Sequence, residues 1–228
     1  GKVTVHTPPC NNDILQIAVP EAIINHDGDE KVFTTPVPLN AFQALAIGPG
    51  IGTDKRTALA FIEQISHTAT PLVIDADAIN ILGSHKGWIQ QVPQHSVFTP
   101  HPGEMKRLGI CHTDSFSILL EAISMATKHG FYIVLKGHYT AVCTPEGKVF
   151  FNPTGNSGMG TAGSGDVLTG IILSLLAQKY SAEHACRLGV YLHGLAGDIA
   201  AEKLGEHSLT ASDIIQALPE AFARLLGE

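Results

Sequence analysis

The residues best placed to do chemistry stand at the end of a glycine-rich run. It reads Asn152-Pro153-Thr154-Gly155-Asn156-Ser157-Gly158-Met159-Gly160-Thr161-Ala162-Gly163-Ser164-Gly165-Asp166. From Asp166 onward the text turns helical. Val167, Leu168, Ile171, Ile172, Leu175 and Leu176 recur at the spacing of one buried helix face, and Ser164 is placed to cap it. A glycine-rich loop running into a helix start brings unpaired N–H groups and the positive dipole end together, which makes an anion site. Glycine lets backbone approach a phosphate with no Cβ in the way. Such a site can hold a phosphoryl group in transfer, where positioning and charge stabilisation do most of the work. The one carboxylate in the first turn, Asp166, can take a proton from an attacking hydroxyl. A helix N-terminus favours its ionised form.

Four more stretches have the same character: apolar strand text ending in unusual residues. The run from 42 to 47 ends in Gly48-Pro49-Gly50-Ile51-Gly52. Pro71-Leu72-Val73-Ile74 ends in Asp75-Ala76-Asp77-Ala78, with a short helix around 79–82. Ser96-Val97-Phe98-Thr99 ends in Pro100-His101-Pro102-Gly103-Glu104. The strand 131–135 ends in Lys136-Gly137-His138-Tyr139-Thr140. Helical text separates them: Thr53 or Asp54 caps a helix whose face is Ala58, Phe61, Ile62 and Ile65, and 115–128 reads as another. Residues 141–144 and 148–151 read as a hairpin about Pro145-Glu146-Gly147. After the glycine loop everything reads as helix, with Ala185, Leu188, Leu192, Leu195 and Ile199 on one face and Ile214, Ile215, Leu218 and Phe222 on another. Ahead of residue 42 the pattern is weak, with strands expected at 3–5 and, less clearly, at 15–19. Alternating strands and helices predict an α/β domain with a mainly parallel central sheet and helices on both faces. Its five unusual stretches should meet beyond the carboxyl ends of the strands.

Composition narrows the function. The 228 residues are 44% apolar and 15% charged, enough for a large core. No apolar run reaches the ~18 residues of a membrane span. Net charge is −7 with no basic cluster, so nucleic acid is not an expected partner, and without an apolar span neither is a membrane. Cys10, Cys111, Cys143 and Cys186 are widely spaced, which reads as reduced thiols in a cytoplasmic protein. The twelve histidines include no His-x-x-x-His pair, so structural zinc is not expected. The chain enters a strand almost at once from Gly1, which leads to the expectation that an N-terminal segment is missing from a single domain over 1–228.

Each strand end has more than one reading. The glycines at 48, 50 and 52 resemble half of a dinucleotide fingerprint, but its third glycine would fall at Thr53, so a Rossmann oxidoreductase is disfavoured. The loop remains either a tight turn or a ligand contact. Asp75 and Asp77 could hold Mg²⁺ or form an Asx turn and helix cap. The prolines on either side of His101 restrain it, which suggests ligand contact. Glu104 could cap the following helix or touch metal-bound water. Lys136 could pair with phosphate, and Gly137 and Thr140 could contact a nucleotide. His193 and Asp198, amid apolar helix text, read as satisfied structural residues.

Taken together these motifs resemble the NAD(P)H-hydrate dehydratase family, whose fold is ribokinase-like. The resemblance covers nearly the whole chain, and its most specific blocks are Thr99-Pro100-His101-Pro102-Gly103-Glu104 and Asn152-Pro153-Thr154-Gly155-Asn156. It implies phosphorylation of the hydroxyl of hydrated NADH or NADPH by ADP or ATP, followed by loss of phosphate. It implies that Asp166 is the catalytic carboxylate, and that Gly50, His101, Asn156 and Asp166 line the hydrate pocket. It further implies that Lys136, Gly137, His138, Tyr139, Thr140, Gly163 and Gly165 hold the nucleotide. Mg²⁺ would be required, with Asp75 and Glu104 as ligand candidates, and a homo-oligomer, a tetramer in the family, is expected. The sequence departs from the family at Gly160, where alanine is expected, and in lacking the family's first strand, glycine-rich turn and helix. Two other readings remain: a ribokinase-like kinase for thiazole, pyridoxal or a sugar, which should lack the 99–104 block, and a nucleotide sensor without catalysis.

Overall fold

In this computed structural model the described residues are 1–110, 112 and 114–227; Cys111 lies outside them. The core is a six-stranded sheet in the order β3 (Leu45–Ile47), β4 (Leu72–Ile74), β5 (Val97–Phe98), β6 (Tyr132–Leu135), β7 (Ala141–Cys143), β8 (Val149–Phe151). From β3 to β6 the pairing is parallel, and the β7–β8 hairpin closes one edge antiparallel. The parallel strands are buried on both faces, which is why they read as unbroken apolar runs rather than alternating ones.

Side-chain alternation along each strand feeds two cores. Leu72, Ile74, Phe98, Ile133 and Leu135 face α2 (Lys55–Ser66), α3 (Ala76–Ser84) and α5 (Ser115–His129), joined by Phe61, Ile79 and Ala122. Val73, Val97, Tyr132 and Val134 face α6 (Ser164–Ala177) and α7 (Ala182–Leu204), with Leu168, Ile172, Cys186 and Val190. A third cluster joins α7 to α8 (Ala211–Leu226) through Leu192, Ile199, Ile214 and Ala221. The expected α/β architecture with helices on both faces is present. Asp54 is the residue that caps α2, accepting from the Arg56 amide at 2.9 Å.

The first forty residues depart from expectation. The strand expected at 15–19 is instead helix α1 (Asn12–Ala18), with Asp13 in its first turn and a 2.8 Å bond from Val19 N to Leu15 O. Ile14, Leu15 and Ile17 fit either period in so short a window. The second strand is β2 (Ile23–His26), which pairs in parallel with β1 (Thr4–Thr7) in a sheet of its own. Ile14 and Ile17 are exposed, and α1 buries no residue.

Candidate active site

Because β3, β4, β5 and β6 run parallel, the four unusual strand ends lie on one rim, as expected. Contacts join them. At Gly48, φ is +137° and a Cβ would stand 1.8 Å from the Asp75 carbonyl oxygen. Only glycine allows the 48–52 loop to lean on the neighbouring strand end. The Gly52 amide donates to Asp77 Oδ2 at 2.9 Å. Gly50 has φ +67° and open space where a Cβ would be. The Lys136 amide donates to Pro100 O at 2.8 Å, binding the fourth strand end to the third.

The rim's side chains form a charge cluster. Lys136 Nζ lies 3.0 Å from Asp75 Oδ1 and 3.8 Å from Glu104 Oε2. Asp75 is 1% exposed, and its other oxygen accepts from Thr169 Oγ1 on α6 at 2.7 Å. Asp75 sits at the N-cap position of α3 yet makes no cap bond, because its carboxylate is drawn to the lysine. Of the readings open for Glu104, the helix cap is the one formed. It accepts the His101 amide at 2.7 Å, while His101 Nδ1 accepts the Gly103 amide at 2.9 Å, completing a capping box at the start of α4 (Pro102–Arg107). His101 thus spends one ring nitrogen on the helix; its other, Nε2, lies 3.6 Å from Glu104 Oε1 with the side chain half exposed. Both metal-ligand candidates, Asp75 and Glu104, are engaged by Lys136. Among the described residues no group of three or more His, Cys, Asp or Glu side chains is arranged to hold a metal. A divalent cation would have to arrive largely on phosphate oxygens.

Helix α6 begins where the sequence indicated, but its cap differs. The N-cap is Gly163 in the left-handed region, φ +84°, with no side-chain cap bond. Ser164 is buried instead, with its hydroxyl 3.2 Å from His193 Nε2 on α7. Asp166 stands exposed in the first turn. Its carboxyl is raised above the ordinary aspartate range, first by desolvation and then by Asp75, with Glu104 adding and Lys136 opposing. The expectation that the helix start would favour ionisation omitted these neighbours. Gly165 faces the lysine, since a Cβ there would lie 3.2 Å from Lys136 Nζ. Lys136, Gly165 and Asp166 are therefore brought together. Of the rest of the 136–140 turn, Thr140 Oγ1 donates to Gly137 O at 3.3 Å, and the His138 and Tyr139 rings meet edge to face with Tyr139 exposed.

Residues 152–159 are seated along α7. Asn152 Nδ2 donates to Val190 O at 3.1 Å and Thr154 Oγ1 to Tyr191 O at 3.0 Å. Asp198 takes the Gly155 amide on Oδ2 at 2.8 Å and Asn156 Nδ2 on Oδ1 at 2.9 Å. Asn156 Oδ1 in turn accepts the Gly158 amide at 3.1 Å. His193 and Asp198 are satisfied polar residues, as their apolar surroundings suggested, but the partners that satisfy them belong to the loop. Burial lowers the His193 imidazole to about 4, so it is neutral at pH 7. The sequence named His193 and Asp198 only as structural residues and did not single out Thr169; polarity within buried helix text was the signal available for all three.

An open groove of about 560 Å³ runs from Asp166 between α6 and α8, lined by Gly170, Ile171, Ile215, Leu218 and Phe222 among others. The apolar face expected on α8 is thus divided. Ile214 is buried against α7, whereas Ile215 is 53% and Phe222 41% exposed along this groove. No helix among the described residues is long and apolar enough to cross a membrane.

Comparison with known proteins gives a consistent result. The family model for NAD(P)H-hydrate dehydratase matches residues 1–220. The bifunctional NAD(P)H-hydrate repair enzyme of Moorella thermoacetica is 42% identical over 217 residues, covering 93% of this chain and 41% of that protein. The chain spans less than half the length of such bifunctional relatives. The ADP-dependent (S)-NAD(P)H-hydrate dehydratase of Bacillus subtilis is 30% identical over 226 residues, covering 98% of this chain and 79% of the relative. A crystal structure of the Bacillus ADP/ATP-dependent NAD(P)H-hydrate dehydratase, co-crystallised with ATP and Mg²⁺, superposes with a TM-score of 0.82 at 27% identity over 98% of this chain and 79% of that one. The hydroxyethylthiazole kinase of Pyrococcus horikoshii has a TM-score of 0.64 at 13% identity over 96% of this chain and 88% of that one, a likeness of fold alone.

Proposed function

The chain belongs to the NAD(P)H-hydrate dehydratase family, and from that premise we propose that it restores hydrated NADH and NADPH to the intact dinucleotides at the expense of ADP or ATP. The observation that carries this reading is the meeting of Asp166, the α6 start and Lys136 on one rim. Asp166 takes the proton of the hydrate hydroxyl, whose oxygen attacks the terminal phosphoryl group of the nucleotide. The loop amides near Gly163 and Gly165 steady that group as its bond to the donor breaks. Lys136 exchanges a carboxylate for phosphate oxygens, and the 137–140 turn, with His138, Tyr139 and Thr140, accepts the rest of the nucleotide. The phosphorylated hydrate then loses phosphate as its C–O bond breaks, and a proton leaves the adjacent ring carbon, so that the ring double bond is restored. Gly50, His101 and Asn156 are assigned to the hydrate side. Mg²⁺ would neutralise phosphate charge. On this reading the protein works in the cytoplasm, as a homo-oligomer.

Mass spectrometry of protein mixed with Mg²⁺, ADP and NADH hydrate tests the proposal. The expected products are NADH, AMP and phosphate. Phosphorylation of a thiazole, pyridoxal or sugar alcohol with the hydrate untouched would favour the kinase reading, and turnover of none of them the sensor.

A further inference from the structure

Helix α7 presents one face, residues 190, 191, 194, 197 and 198, to the loop segment 152–159. Two glycines let it come close. A Cβ at Gly194 would lie 2.2 Å from Thr154 Oγ1, and one at Gly197 would lie 2.2 Å from Met159 Sδ. At the far end of that face Asp198 uses both carboxylate oxygens, one on the Gly155 amide and one on Asn156 Nδ2, and Asn156 passes the constraint to the Gly158 amide. Gly155 has φ +105°, a conformation that glycine adopts without strain. Asn156 therefore spends its acceptor and one donor hydrogen on building the loop.

We propose that Asp198 is a positioning residue for the phosphoryl-transfer loop, acting through Asn156 to set where the 155–158 amides point. Its carboxylate is the only group type that suits the place. It faces two donors, so both of its oxygens must accept. An asparagine there would turn its own NH₂ toward a donor. The inference rests on the reading that this loop handles the reacting phosphoryl and hydrate groups.

The test is Asp198→Asn, followed by amide hydrogen exchange and steady-state kinetics. Exchange at Gly155 and Gly158 should speed up. The value of kcat should fall on the order of 10–100-fold, as expected when reacting groups are misplaced by about an ångström. The KM for ADP should change far less, because Lys136 and Gly165 are not attached to Asp198. The paired exchange Asn156→Asp with Asp198→Asn restores a donor facing an acceptor in the reverse sense. It should recover the amide protection, which is the readout used for this variant because Asn156 is itself assigned to the hydrate side, and it keeps the idea testable if the single variant does not fold. Unchanged exchange at both glycines, faster exchange with kcat within twofold of the parent, or a paired variant whose amides are no better protected than those of the single one would each overturn the proposal. Failure of the dehydratase reading looks different: the parent itself would form no NADH, while the exchange data would still report on Asp198.

Discussion

The two flanks of Asp166 are held by different physics. On the strand-end flank Lys136 sits between Asp75 and Glu104, a long side chain in an electrostatic contact that it can trade for another. On the α7 flank the loop is fixed by the Gly155 amide bonded to Asp198, by the Asn152 side chain bonded to the Val190 carbonyl, and by close approach at Gly194 and Gly197. The first arrangement tolerates re-pairing when phosphate arrives. The second does not, because any shift strands a backbone amide. A site that transfers a phosphoryl group needs both: a cation free to follow the charge, and a fixed set of donors that costs no reorganisation during reaction.

The sharpest way to break this contrast is to remove the group between the flanks. Asp166→Asn keeps shape but cannot accept a proton. Turnover should fall by roughly 10²–10⁴-fold, with the melting temperature nearly unchanged because the side chain is exposed, and with nucleotide binding retained. Turnover within a few-fold of the parent would mean that Asp166 is not the base.

Removing the mobile cation comes next. Lys136→Met should raise the KM for ADP by on the order of tenfold, and should also destabilise the fold, because among the described residues the Asp75 carboxylate then keeps only Thr169 as partner while 1% exposed. Breaking a buried pair in this way costs roughly 3–5 kcal/mol when burial is complete; partial exposure of Lys136 puts this case below that range. Adding Asp75→Asn should recover stability in thermal melts without recovering ADP affinity. Recovery of both would assign Lys136 a structural role only.

A smaller effect lies in the pH profile. Partial desolvation and Asp75 raise the Asp166 carboxyl although it reaches solvent, and a base works only when ionised. The acid limb of kcat should therefore lie above the ordinary aspartate range, with activity rising as pH climbs through it. Taking away the Asp75 charge with Asp75→Asn should move that limb to lower pH. An unmoved limb would mean that the two carboxylates are not coupled.

The strand-end flank is legible in the sequence and the α7 flank is not, for a physical reason. Strands buried on both faces announce themselves as continuous apolar runs, and topology then places the residues after each run, from Gly48 to Lys136, on one rim. The Gly155 to Asp166 stretch carries its helix start in the text. Pairings across the fold leave no such mark. Lys136 to Asp75 spans sixty-one positions and Asp198 to Gly155 forty-three, so Asp75 reads as a cap or metal ligand and Asp198 as a structural residue. Ser164 reads as a cap because local text cannot show that His193 lies behind it. Before residue 42 the reading fails where a short apolar run fits both periods, Leu15 and Ile17 at strand spacing and Ile14 and Ile17 at helix spacing, and where Ile23 to His26 offers too few residues to show any.

The least disruptive probe at neutral pH is His193→Gln, which tests how the fixed flank is fixed. The glutamine amide can reach about as far as Nε2, so it can still meet the Ser164 hydroxyl, but it cannot take up a proton. In the folded protein the imidazole titrates at about 4, chiefly because it is desolvated, with Lys136 nearby also opposing a second positive charge. In the unfolded chain it titrates near its ordinary value of 6.5. Between those two values the unfolded state binds the extra proton and the folded state does not, so stability falls as pH is lowered through the window. At pH 5 the loss amounts to roughly 2 kcal/mol at most for one such group; above pH 7 it vanishes. Parent and variant should therefore melt at nearly the same temperature at pH 7.5, and the variant should be the more stable at pH 5. Parallel melting curves down to pH 4.5 would show that His193 is not held neutral behind the loop, and that this flank yields to charge as the other does.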